Sequence, residues 1–155
     1  MHIRAAQIED TPRLVFLGRQ LLQLHETFDI DYYRLEQSFD TLFADYIKQH
    51  IQSSYQFVLV ACENDQVIGF INGFIKSLFP WFTTKSVGHI SYLITDPQFR
   101  KIGVGKKLEK AAISWFKMKN ISYVEVYTDE KNTVGGIVWS SYGYLPFKKF
   151  LRKKI

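Results

Sequence analysis

The ten residues from Asp96 to Gly105 join two strongly patterned segments and constrain this chain more than any other stretch. Before them runs VGHISYLIT, residues 87–95, rich in β-branched and aromatic side chains and bounded by a turn signal, the pattern of a strand. After them, Lys106–Lys119 places Leu108, Ala111, Ala112, Trp115 and Met118 on one helical face. The join begins with an Asp-Pro turn and continues as Arg100-x-x-Gly103-x-Gly105. A helix that starts here presents unpaired N–H groups and about half a positive charge at its N-terminus. Glycine lets the backbone approach a ligand closely, and Arg100, Lys101, Lys106 and Lys107 add full charges. The stretch is therefore built to hold an anion. Two nucleotide motifs are excluded by the residues after Gly105. A Walker loop needs Gly-Lys-Ser/Thr, and the chain has Lys106-Lys107; a dinucleotide fingerprint needs a third small residue where Leu108 stands.

The remaining pattern is that of one mixed α/β domain over residues 1–155. His2–Ala6 reads as a short strand. Asp10 or Thr11 caps a helix with Pro12 in its first turn and Leu14, Leu17, Leu21, Leu22 and Leu24 as its apolar stripe. Residues 27–33 form an acidic, aromatic connection to a second amphipathic helix, which uses Leu35, Phe39, Leu42, Phe43, Tyr46, Ile47 and Ile51. YQFVLVACE and VIGFINGFI pair as a hairpin across an Asn-Asp-Gln turn. The aromatics of LFPWFTTKS are expected to cap the core. SYVEVYT is a strand, NTVGGIVWSSYG a weak helix with two internal glycines, and YLPFKKFLRKKI a closing strand.

Charge is unevenly spread around a net +5. His25 to Tyr46 holds six acids (Glu26, Asp29, Asp31, Glu36, Asp40, Asp45) against Arg34 alone, whereas Lys148 to Ile155 holds five bases and no acid. No continuous basic stripe emerges, so a nucleic-acid partner is not expected. No apolar run approaches membrane-spanning length, and MHIRAAQIED lacks the apolar centre of a signal peptide. Neither a membrane partner nor a metal is expected, and the cytoplasm is the expected compartment. The single cysteine, Cys62, precludes an internal disulfide and lies in an apolar run that points to core.

Arg100-x-x-Gly103-x-Gly105, set between strand and helix, resembles the acyl-CoA-binding motif of the GNAT N-acyltransferase family, Gln/Arg-x-x-Gly-x-Gly/Ala. A second signature of that family is matched by Asn132, Gly135, Trp139, Gly143 and Tyr144 on the last helix and just beyond it, and the order of elements agrees from end to end. The resemblance implies a mixed, mainly antiparallel central sheet flanked by helices, and transfer of an acetyl group from acetyl-CoA directly to a primary amine. It places the pantetheine arm along Leu93, Ile94 and Thr95, the pyrophosphate on the loop formed by Arg100, Lys101, Ile102, Gly103, Val104, Gly105 and Lys106, and a further cofactor contact at Asn132. Asn132 also has a capping role open to it.

For catalysis the resemblance offers His89, eleven residues before the motif, where several protein-acetylating members carry a glutamate base. It also offers Glu125 on the next strand, and the backbone N–H of Leu93 as the donor that polarises the carbonyl. A structural role for either side chain stays open. Strict alternation would put His89, Ser91, Leu93 and Thr95 on one face of the strand. The chain departs from the family at Trp139, where a tyrosine often protonates the leaving thiolate; an indole N–H is no useful acid. Tyr142, three residues on, shares roughly that helical face and can substitute. Family members set acceptor choice through the first helices, which here carry Glu26, Asp29, Asp31 and Tyr32. Acids there favour a cationic amine: a polyamine, an aminoglycoside-like compound or a peptide amine. Dimers are common in that family, so a second copy is a partner the resemblance allows. A non-catalytic acyl-CoA-binding module is the alternative reading, raised by Trp139 and by the absence of glutamate at position 89.

Overall fold

The computed structural model describes every residue, Met1–Ile155. Its elements run β1 (His2–Ala5), α1 (Thr11–Glu26), α2 (Ile30–Tyr33), α3 (Phe39–Gln52), β2 (Gln56–Glu63), β3 (Gln66–Ser77), β4 (Ser86–Thr95), α4 (Val104–Met118), β5 (Val124–Val126) and α5 (Thr133–Ser141). The strands form one five-stranded sheet in the order β1-β2-β3-β4-β5. The first four pair antiparallel and β5 pairs parallel with β4, the mixed, mainly antiparallel sheet expected. No helix is long and apolar enough to cross a membrane.

Helices cover both faces because the strands bury both sets of alternating side chains. On one face Leu14 and Leu17 of α1 and Phe43 and Ile47 of α3 pack with Val58, Val60, Phe70 and Ile94. On the other, Leu108, Ala112 and Phe116 of α4 pack with Ile71 and Ile90. Cys62 is buried with the first group and is a core residue. The sandwich fixes α4 against the sheet and so holds the end of β4 and the start of α4 in one geometry.

Three expectations are corrected. The closing strand does not form: residues 144–155 have no regular structure, and Leu145, Phe147, Phe150 and Leu151 are each at least 79% exposed. Pro146 removes one ladder donor there, and the adjacent β5 offers an edge only three residues long. The aromatics of the β3–β4 loop do not cap the core. Phe79, Trp81 and Phe82 are exposed. They are held locally by a Phe79–Trp81 stack with ring centroids 4.7 Å apart and by the Lys85 ammonium, which donates to the carbonyls of Pro80 and Phe82 at 2.5 and 2.6 Å. The connection between α1 and α3 contains the one-turn helix α2, capped by the Asp29 carboxylate, which accepts from the Tyr32 N–H at 3.2 Å.

Candidate active site

The site begins with a defect in the sheet. Tyr92 faces Asn72 and Ile90 faces Gly73, which leaves Ser91 as an extra residue, a β-bulge in β4. β5 pairs only with Gly88, His89 and Ile90, so it stops at the bulge while β4 runs on to Thr95. The Gly88 N–H donates to Tyr123 on the β5 side at 2.8 Å, and the Asp96 N–H donates to Ile68 on the β3 side at 2.8 Å. Alternation back from Asp96 turns the amides of Leu93 and Thr95 away from β3, toward the gap that β5 leaves. That open edge suits an extended, amide-bearing arm that adds itself as a strand.

The bulge overturns one expectation. It shifts the alternation by one residue, so His89 does not share a face with Leu93 and Thr95. Leu93 packs with the α4 side, as Ile90 does, while Tyr92 and Ile94 pack with the α1–α3 side. His89, the neighbour of Ile90, falls on the α1–α3 side. Ile94 therefore packs its side chain on the α1–α3 side and pairs its backbone with β3, and it lies between the two residues whose amides face the gap.

Beyond Thr95 the chain turns through Pro97–Phe99, and the Asp96 carboxylate accepts from the Gln98 N–H at 2.9 Å. Gly103 precedes α4 with φ +85°, a left-handed conformation that favours glycine. The first intrahelical bond runs from Lys107 N–H to the Gly103 carbonyl at 3.1 Å. The N–H groups of Val104, Gly105 and Lys106 are then free of intrahelical partners. Val104 is buried and anchors the turn, whereas Arg100, Lys101, Ile102 and Lys106 are exposed. Arg100 Nε also donates weakly to the Thr95 carbonyl at 3.4 Å.

Gly105 shows how tightly the parts meet. A Cβ there would lie 2.9 Å from the Tyr142 hydroxyl and 3.8 Å from both Leu93 Cδ2 and Thr95 Oγ1. The fold thus brings Leu93, Thr95, Gly105 and Tyr142 to one point. Burial, with the Glu109 carboxylate next in effect, raises the Tyr142 hydroxyl above its ordinary value and keeps it protonated at neutral pH. Trp139, on α5, packs edge-on against Tyr144, with centroids 5.2 Å apart, and both rings pack against the α4-side core. Asn132 caps α5 by accepting from Gly135 N–H at 2.9 Å. A Cβ at Gly135 would come within 2.6 Å of Asn132 Nδ2, which explains the small residue at that spacing.

His89 and Glu125 stand side by side in register across β4 and β5. His89 lies between the rings of Phe74 and Tyr127, at centroid distances of 4.9 and 4.7 Å, and its Nδ1 is buried with no partner. Burial lowers its pKa, the Lys76 ammonium lowers it further, and Glu125 acts the other way. The imidazole is therefore neutral at pH 7, with a free lone pair. Lys76 donates to Glu125 at 3.1 Å and to the Tyr127 hydroxyl at 2.9 Å. Lys76 was not legible as part of the site, since 49 residues separate it from Glu125.

The acidic residues of the α1–α2 region do not form one open cluster. The Glu26 carboxylate accepts from the Leu35 N–H at 2.9 Å and closes the connection. Asp29 pairs with Arg152 at 2.7 Å, and that guanidinium lies 4.8 Å from the centre of the Tyr32 ring. The basic C-terminal segment thus already occupies part of the expected cation site. Asp31 and Tyr32 remain exposed. Two further links tie this connection to the segment between β5 and α5: Tyr33 donates to Asp129 at 3.0 Å, and Lys131 Nζ donates to the Phe28 carbonyl at 2.6 Å.

Among curated proteins no sequence match is found. Solved structures share the fold at low identity. The tetramutant of the BH1408 protein from Bacillus halodurans is 22% identical with a TM-score of 0.89, and the alignment covers 100% of both chains. The aminoglycoside N-acetyltransferase AAC(6')-Iy in complex with CoA is 18% identical with a TM-score of 0.80, over 99% of this chain and 93% of that one. A predicted acetyltransferase with acetyl-CoA from Clostridium acetobutylicum is 22% identical with a TM-score of 0.77, over 99% of this chain and 95% of that one. The family model "Acetyltransferase (GNAT) family" matches residues 19–135. That match spans most of the chain and includes the bulged strand, the glycine loop and Asn132, so this chain belongs to the GNAT acetyltransferase family.

Proposed function

We propose that this protein is an acetyl-CoA-dependent N-acetyltransferase that acetylates a primary amine. One observation carries the reading: the open edge of β4 beyond the Ser91 bulge leads directly to the unpaired N–H groups at the start of α4. A strand edge for an amide-rich arm and a helix N-terminus for a pyrophosphate, in series, fit coenzyme A. Leu93 and Thr95, with Ile94 between them, supply the edge, and Gly103, Val104, Gly105 and Lys106 the N–H groups. Arg100 and Lys101 supply charge around Ile102, and Asn132, which caps α5, is a further contact for the cofactor.

Acetyl-CoA supplies an acyl group on a thiol leaving group. In our reading the amine nitrogen forms a bond to the acyl carbon as the carbon–sulfur bond breaks, and the sulfur leaves with the bonding pair. His89 takes the proton that the nitrogen sheds, a role suited to an imidazole kept neutral by burial. The N–H of Leu93 faces the gap and donates to the oxygen on which charge develops. Tyr142 returns a proton to the sulfur. Glu125 supports His89 by pairing with Lys76, whose ammonium would otherwise bear on the imidazole unopposed.

For the acceptor we propose a cationic small molecule, polyamine- or aminoglycoside-like, or a peptide amine, drawn by Asp31 and Asp29 and packed against Tyr32. Arg152 is a competitor built into the chain. Asp31→Asn is expected to raise KM for cationic amines about threefold, and Arg152→Gln to lower it, with kcat little changed in both. Unchanged KM values for every accepted amine in both variants would remove the acidic region from the acceptor site.

Trp139 favours a second reading, a non-catalytic module that binds acyl-CoA, because an indole cannot protonate a thiolate. Thiol release from acetyl-CoA with a panel of amines separates the two. Amine-dependent release supports the enzyme, and tight binding without release at any amine supports the module.

A further inference from the structure

We propose that Arg13 is a positioning residue for the donor's pyrophosphate, acting through Asp96; the inference rests on the coenzyme A site proposed above. Asp96 follows the last residue of β4 and begins the connection to the glycine loop. Its backbone N–H donates to the Ile68 carbonyl at 2.8 Å, its carbonyl accepts from Phe99 N–H at 2.9 Å, and one carboxylate oxygen accepts from Gln98 N–H at 2.9 Å. The residue is 8% exposed. Burying a carboxylate this far is costly without a partner.

Arg13, in the first turns of α1, is that partner. Its Nη2 pairs with the second carboxylate oxygen of Asp96, and its Nε donates to the Val67 carbonyl at the start of β3, 3.0 Å away. The guanidinium also lies 5.1 Å from the centre of the Phe16 ring. One planar group thus joins α1, β3 and the end of β4, 83 residues away along the chain.

The consequence for ligand binding is geometric. Alternation puts the Asp96 side chain on the face of Ile94, toward α1, and the Thr95 side chain on the opposite face, where its hydroxyl lies 3.8 Å from the position a Cβ would take at Gly105. An Asp96 carboxylate without Arg13 would be an enclosed, unpaired charge, and the turn that leads from Thr95 into the glycine loop would be free to move. Arg13 pairs that charge and fixes the turn, so the loop's N–H groups are held in place for the ligand.

The test measures CoA affinity by calorimetry in the full chain, together with KM for acetyl-CoA and for the amine and the melting temperature. Arg13→Met keeps the stem and loses the charge, and is expected to weaken CoA about tenfold. Arg13→Lys restores most of the affinity through the charge. Arg13→Met combined with Asp96→Asn also recovers affinity, because the amide keeps an oxygen for Gln98 and leaves no unpaired buried charge to pull the turn open. KM for the amine stays within about twofold throughout. Wild-type CoA binding that Arg13→Met leaves unaltered overturns the proposal alone. So does a loss in Arg13→Met that the double variant fails to recover, or one shared equally with the amine, either of which marks a purely structural clasp. A wild-type chain that binds no CoA overturns the functional reading and this proposal with it.

Discussion

Gly105→Asp is expected to weaken CoA binding about 100-fold or more while α4 stays formed. An acidic side chain in the first turn of a helix suits the helix dipole, so the substitution does not oppose the helix itself. Its Cβ meets the Tyr142 hydroxyl at 2.9 Å, the movable end of a side chain that can turn aside. What the substitution does oppose is an anion at the N–H groups of Val104, Gly105 and Lys106. It places a carboxylate where the pyrophosphate is proposed to lie and displaces at least two charge-assisted hydrogen bonds, each worth about 1.5–3 kcal/mol. That sum corresponds to about two to four decades in affinity. Calorimetry of CoA binding with circular dichroism of the same sample checks both halves. A folded variant that still binds CoA as the parent does would remove the glycine loop from the donor site.

His89→Gln is expected to lower kcat about 100-fold or more with CoA affinity unchanged, the loss typical of a general base. Glutamine keeps the size and a hydrogen-bonding group but has no basic lone pair. The pH profile supplies the sign. Burial and the Lys76 ammonium lower the His89 pKa below the ordinary histidine value of about 6.5. A base must be unprotonated, so kcat/KM for the parent holds through neutral pH and falls only as the pH drops below that value. The glutamine variant loses this acid limb. Glu125→Gln releases Lys76 from its carboxylate, which lowers the His89 pKa further, and so moves the limb to still lower pH. A limb that survives in His89→Gln and vanishes in Glu125→Gln would assign the base to Glu125 instead.

Much of this site could be read from local pattern. The run 87–95, the Asp-Pro turn and the glycines before an amphipathic helix locate the end of β4 and the start of α4, because strand and helix periodicities are local properties. The Asn132–Gly135 spacing was legible for a similar reason: a cap and the amide it bonds are three residues apart. Features set by partners distant in sequence were not. The bulge at Ser91 arises from pairing with β3, and it moved His89 off the face that strict alternation gives it. Lys76, Arg13 and Arg152 meet Glu125, Asp96 and Asp29 only in the folded chain. The C-terminal segment carries a strand-like composition, yet Pro146 and a three-residue β5 give it no ladder to join. Its Arg152 instead engages the acidic connection that the sequence marked for a cationic acceptor.

The central claim is that the gap beyond Ser91 and the first turn of α4 together hold the acyl donor. Amide chemical shifts of the labelled protein during titration with CoA test it most directly. The largest saturable shifts are expected at Leu93, Thr95, Val104, Gly105 and Lys106, with little change along β1 or in residues 148–154. Shifts confined to the basic C-terminal segment, with the amides of Leu93 and Gly105 unmoved at saturation, would contradict it.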